Sequence, residues 1–297
     1  MNIMRWWRVA ALCASLAAGA AQAQERFSIF AGSNPDAVSR MVQLADLRDG
    51  DQVVDLGSGD GRIVFAALNA HPGVRGWGVD LDPKLVKEAN AEAQKQGLAE
   101  RVQFLHQNAF DADLSKADVI FMWLWPEVMY MLRAKILREA RPGTRVVTNI
   151  WDLGSWKPDA VDETPLPVNL WLVPAKAGGY WNWTLPLGGI KHGYAAVIEQ
   201  HFQHIEGVVR SGGRRGIFRN PELQGTHISL ALDMTLDGMG LMRHRFSGTV
   251  DGDRISGTVR VVRLVEGEET GETLELPWQA TRATASAYFD PTGLAMR

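Results

Sequence analysis

The sequence predicts an α/β protein, a doubly wound parallel sheet followed by a small antiparallel all-β domain. Three observations predict it. Short apolar runs alternate with segments of helical spacing as far as Trp151. A glycine-rich turn, Asp55-Leu56-Gly57-Ser58-Gly59-Asp60-Gly61, joins the first of those runs to a helix. From Leu187 onward the pattern becomes short alternating strands separated by glycine turns.

Ahead of this fold, Arg5 and Arg8 precede an apolar stretch at 9–18 and the small-residue sequence Ala21-Gln22-Ala23. That layout predicts a secretory signal peptide over 1–23, and an exported, periplasmic or envelope-associated mature chain. The apolar stretch is short for a membrane span, so no transmembrane segment is expected after cleavage. Cys13, the only cysteine, lies inside the segment, and Leu12 does not suit a lipoprotein acceptor site. The mature chain then has no thiol, which excludes disulfides, zinc–thiolate sites and a cysteine nucleophile.

Loss of Arg5 and Arg8, with no acid in 1–23, takes the net charge from −3 to −5. No basic field points to nucleic acid. The 297 residues, 46% hydrophobic and 22% charged, suffice for one large or two smaller domains.

In chain order, Pro35 and Asp36 open a helix to about Leu47, with Val38, Met41, Val42 and Ala45 on one face. Strands are expected at 53–55, 76–80, 102–106, 118–123 and 145–151. Helices are expected between them at 62–69, 84–96 and 127–140. The fourth of these runs is nearly continuous in apolar residues, which suits a parallel sheet covered on both faces. Runs at 168–173 and 180–185 are expected to pair as a hairpin across Pro174 to Gly179 and to close an α/β domain spanning 25–186.

Over 187–297 an antiparallel sandwich or partial barrel is expected, with strands at 194–209, 227–234, 241–250 and 254–262. Gly207, Gly248 and Gly257 stand mid-strand, where sheets bend or coil. Arg210, Arg214, Arg215 and Arg219 are expected in one loop.

The glycine turn carries the chemistry. Three glycines on alternate positions permit positive φ and let a ligand approach the backbone. A dinucleotide fingerprint has different glycine spacing, and the leading acid, Asp55, suits an ammonium group better than a pyrophosphate. Asp80 ends the next strand, 19 residues after Gly61. Together these residues resemble motif I and the following acid of the class I S-adenosylmethionine-dependent methyltransferases.

Over 33–159 the chain resembles a bacterial methyltransferase group related to the ATP synthase c-subunit lysine methyltransferases. The matching blocks are Val54 to Arg62, Gly78 to Pro83, Leu124-Trp125-Pro126-Glu127 and Arg141 to Val147. The resemblance implies a Rossmann-like sheet with S-adenosyl-L-methionine as cofactor. It implies Asp55 at the methionine ammonium, Gly57, Gly59 and Gly61 against the methionine and ribose, and Asp80 at the ribose hydroxyls. Asn108 stands where relatives often carry an acid and would meet the adenine amino group. Ser33 is expected either at the methionine carboxylate or as the cap of the next helix.

The acceptor pocket should lie beyond the fourth strand. Trp123 and Trp125 suit an alkylammonium chain through cation–π contact. Glu127 and Asp152 are the candidate bases. The implied acceptor is a protein lysine or another protein or small-molecule amine. The alternative is an exported S-adenosylmethionine-binding or partner-binding protein without turnover, which export away from the cytosolic cofactor supply favours and the intact Asp55, glycine turn and Asp80 argue against. No Gly-x-Ser-x-Gly elbow or convincing histidine metal site is present.

Overall fold

In the computed structural model, which describes residues 34–283, two β-sheets carry the chain. It divides into two compact units. One takes the chain up to Leu132 with Val147–Asp152 and Val161–Asn169; the other takes Arg133–Val146, Leu153–Ala160 and the chain from Leu170 on.

The first sheet is preceded by α1 (Pro35–Leu44), capped by Asn34, whose side chain accepts from the Asp36 N–H at 3.0 Å. Proline in its first turn and buried Val38, Met41 and Val42 set its start and inner face. Then come β1 (Gln52–Leu56), α2 (Arg62–Ala70), β2 (Arg75–Asp80), α3 (Pro83–Lys95) and β3 (Val102–His106). They are followed by β4 (Val119–Met122), α4 (Pro126–Glu139), β5 (Arg145–Asn149), β6 (Ala160–Asp162) and β7 (Val168–Leu172).

The sheet order is β3-β2-β1-β4-β5-β7-β6. β1 lies parallel to both β2 and β4, so the winding reverses at β1. Ligands in such sheets bind beyond the carboxyl ends of the strands at that reversal. Every residue of β4 and β5 is buried, as a doubly covered sheet requires.

Two expectations are corrected here. The fifth strand stops at Asn149 rather than Trp151, because Ile150 turns the chain with φ of +68°. The hairpin expected from 168–173 and 180–185 does not form. β7 instead runs beside β5, with Val173 N–H bonded to Thr144 O (2.9 Å) and Ile150 N–H to Pro167 O (2.7 Å). Its sheet neighbour on the other side is the three-residue β6.

The second sheet holds β8 (Gly179–Leu187), β9 (Ile190–His201), β10 (His204–Ser211), β11 (Arg214–Ile217), β12 (Arg219–Gln224), β13 (His227–Leu236), β14 (Gly240–Asp251), β15 (Arg254–Val265) and β16 (Glu268–Ala283). Its order is β11-β10-β9-β8-β16-β15-β14-β13-β12. β8 thus runs through Pro186 and pairs with the last strand, β16. The two edge strands, β11 and β12, are separated only by Phe218, whose N–H donates to Gly207 O at 2.9 Å. A Cβ on Gly207 would sit 2.4 Å from the Phe218 ring, so glycine is what lets this edge fold over. The result is a nearly closed antiparallel sheet filled by its own side chains. Trp183 stacks on Tyr194 at 5.3 Å, with Phe246 and Trp278 edge-on to Trp183.

The run expected as one strand at 194–209 is a hairpin reversing at Phe202, φ +54°. The arginines do not share a loop: Arg210 is buried on β10, Arg214 and Arg215 lie on β11, and Arg219 on β12 meets Asp233 at 3.4 Å.

Candidate cofactor and acceptor site

The glycine turn is stitched to β2. Gly57 and Ser58 N–H groups both reach Val79 O, at 2.9 and 3.0 Å. The Gly59 N–H donates to Asp80 Oδ2 at 2.8 Å, and the Asp82 N–H to Asp80 Oδ1 at 2.9 Å. Gly57, Gly59 and Gly61 take φ of +85°, +53° and +81°, where a side chain is strained. Asp82 caps α3 through Lys84 N–H, at 2.8 Å.

Asp55 lies in β1 just ahead of the turn, 1% exposed, and neither carboxylate oxygen has a partner. Burial, reinforced by the nearby Asp80 and Asp60 charges, pushes its carboxyl up to about 8. Asp60 is lowered instead, chiefly by its hydrogen bonds from Arg62. A buried carboxylate without a counter-ion is costly, and a cation placed against it removes the cost. The ammonium end of S-adenosyl-L-methionine fits that need, and the backbone-lined turn admits the chain behind it. Ser58 Oγ, also buried and unpartnered, is a polar atom at this turn that the sequence reading passed over.

Asn108 follows β3, and its Oδ1 accepts from the Phe110 N–H at 3.0 Å, capping a 3₁₀ turn (Ala109–Asp111). That use leaves one lone pair on the same oxygen. The Gln107 N–H bonded to Asp80 O (3.1 Å) keeps this loop beside the end of β2. Ser33 lies outside the described residues; the α1 cap is Asn34.

Beyond β4, Trp123 is half-buried, Trp125 is 53% exposed, and Glu127 is exposed in the first turn of α4. Asp152 is exposed past the end of β5, with the Tyr130 hydroxyl 3.5 Å away. Tyr130, Asn149 and Trp151 were missed by the sequence reading. Tyr130 is one helical turn after Glu127, and Asn149 is a polar residue ending a buried strand; those were the available signals.

A doubly wound sheet with a buried acid heading a glycine turn, and a second acid bonded to that turn, defines a class I S-adenosylmethionine-binding site. A family model described as the ANTKMT methyltransferase domain matches residues 55–160. A protein-lysine N-methyltransferase of Saccharolobus islandicus is 36% identical over 124 residues, covering 42% of this chain and 77% of that protein. The adenine nucleotide translocase lysine N-methyltransferase of Mus musculus is 34% identical over 133 residues, covering 44% of this chain and 57% of that protein. The chain belongs to this family of S-adenosyl-L-methionine-dependent methyltransferases. It spans little more than half the length of the mouse relative. A solved RNA methyltransferase from Salinibacter ruber, in complex with S-adenosyl-L-homocysteine, is 40% identical, covering 49% of this chain and 95% of that chain at a TM-score of 0.48.

Proposed function

We propose that the enzyme methylates an amine, with a protein lysine as acceptor. One observation carries this reading. Exposed rings follow the carboxyl ends of β4 and β5, Trp125 and Trp151 in the segments after the strands and Tyr130 in α4, with the Asp152 carboxylate by Tyr130. Aromatic faces beside a carboxylate suit an apolar stem ending in a cationic or amine nitrogen. The lysine specificity in the names of the relatives agrees with it.

In this reading Asp55 takes the methionine ammonium, Gly57, Gly59 and Gly61 admit the cofactor to the backbone, and Asp80 accepts from the ribose hydroxyls. Asn108 takes the adenine amino group. Bound there, S-adenosyl-L-methionine supplies a sulfonium methyl group. That methyl would pass to the neutral acceptor nitrogen, with the electron pair of the broken bond staying on sulfur. Asp152 or Glu127 takes the proton that the methylated nitrogen sheds. Most of the rate comes from holding nitrogen and methyl in line.

We also infer export, supported by Arg5, Arg8 and Ala21-Gln22-Ala23 in the sequence. Sequencing the N-terminus of the protein recovered from its cells should then begin at Gln24.

The function is tested with methyl-labelled S-adenosylmethionine, purified enzyme and envelope extract, followed by acid hydrolysis and amino-acid analysis. Label in methylated lysine is the expected result. Label confined to oxygen-methylated products or RNA would overturn the reading.

A further inference from the structure

Asn149 ends β5 with its side-chain oxygen, Oδ1, buried and unpartnered, in a residue 2% exposed. Buried amide oxygens are normally paired, so an unpartnered one at the strand end that precedes Trp151 and Asp152 calls for a partner. The surrounding donors are committed elsewhere. The Thr148 hydroxyl donates to Trp151 O at 2.6 Å, and Asn169 Nδ2 approaches the same oxygen at 3.4 Å. The backbone is paired as well: Ile150 N–H to Pro167 O, and Trp151 N–H to Asn149 O at 2.9 Å.

These bonds hold a backbone that would not form by itself. Ile150 is β-branched at φ +68°, an outlier region for such a residue. Trp151, two residues after Asn149, is 42% exposed, and Asp152 lies next to Tyr130. Buried Thr148 and Asn169 hold this strain at the strand end.

We infer that Asn149 Oδ1 accepts a hydrogen bond from the methyl-accepting amine, with Trp151 held by the strained turn as a wall along its stem. This rests on the amine reading of the acceptor. An amide oxygen orients the nitrogen without adding charge. A carboxylate at the same place would favour the ammonium form, which has no lone pair to donate. That contrast gives the inference a readout beyond loss of activity.

The probe is Nα-acetyl-lysine methylamide, measured two ways. Tryptophan fluorescence of the enzyme loaded with S-adenosyl-L-homocysteine reports binding, and transfer of labelled methyl reports turnover. Asn149→Leu should raise the acceptor KM at least tenfold and leave homocysteine-product affinity within twofold of wild type. Asn149→Asp should keep acceptor binding and move the rise of its pH–rate profile to higher pH. An unchanged acceptor KM in Asn149→Leu overturns the inference, as does equal loss of cofactor-product affinity. Should Asn149→Leu not fold, an unshifted pH profile in Asn149→Asp overturns it. Wild type that binds the cofactor product but neither binds nor methylates the probe removes the amine reading itself, and this inference with it.

Discussion

The Gly59 N–H and the Asp80 carboxylate are joined by a 2.8 Å hydrogen bond that ties the glycine turn to the end of the neighbouring strand. The second Asp80 oxygen is held by the Asp82 N–H. The acid is therefore oriented before any ligand arrives, with one further lone pair on each oxygen for the ribose hydroxyls. Asp80→Ala should weaken binding of S-adenosyl-L-homocysteine by roughly 10–100-fold, the range for losing hydrogen bonds to a charged group. Calorimetry measures this directly, and unchanged affinity would remove Asp80 from the site.

Asp55 makes cofactor binding depend on pH. Its carboxyl, pushed up to about 8 by burial first and acidic neighbours second, is protonated at neutral pH in the free protein. Pairing with an ammonium requires the ionised form, so affinity should rise about tenfold per pH unit up to about pH 8 and then level off. Asp55→Asn should abolish that dependence and most of the affinity. Titrations from pH 6 to 9 are the check.

The turn glycines differ in how much they tolerate. A Cβ on Gly61 would lie 2.4 Å from the Phe104 ring, with the Phe65 ring at 3.0 Å. Those two rings form an edge-to-face pair with centroids 5.3 Å apart and have little room to move. On Gly57 the clash is with the end of the Leu124 side chain, which can rotate. Gly61→Ala should cost about 2–4 kcal/mol of stability, from the left-handed backbone plus overpacking. Gly57→Ala should cost less, and urea denaturation of the two variants ranks them.

The same contrast explains what the sequence made legible. β4 was visible because a buried parallel strand reads as an unbroken apolar run, β1, β2, β3 and β5 because shorter apolar stretches stand between helical segments, and the turn because its glycines and acids stand at fixed spacing. β6 was not, being three residues long and without an apolar run. β16 was hidden because Glu268 to Leu276 is almost wholly exposed and carries four glutamates, held by pairing with β15 rather than by burial. Ile150 and Trp151 read as a continuation of the strand, and no residue pattern announces a β-branched residue at positive φ. The acceptor-side geometry at Asn149 and Trp151 followed from that unread turn.

The second sheet supplies a pH dependence of stability opposite in sign to the one Asp55 imposes on stability. His244 is fully buried on β14, with Nε2 3.0 Å from the Tyr194 hydroxyl and Nδ1 3.4 Å from Leu232 O. Neutral imidazole satisfies both: Nδ1 donates to the carbonyl and Nε2 accepts from the hydroxyl. Burial pushes the imidazole down to about 4. The unfolded chain, titrating near 6.5, therefore binds the extra proton between pH 6.5 and 4, and stability falls as pH drops through that window. The loss is on the order of 3 kcal/mol when complete. Asp55 works the other way, because its folded-state value is raised: between about pH 4 and 8 the folded protein holds the extra proton, so stability falls as pH rises. Urea midpoints measured from pH 4 to 8 on His244→Gln and on Asp55→Asn should thus depart from wild type with slopes of opposite sign. Parallel slopes in the two variants would refute the His244 assignment or the Asp55 assignment, and the variant whose own slope keeps the wild-type value identifies which.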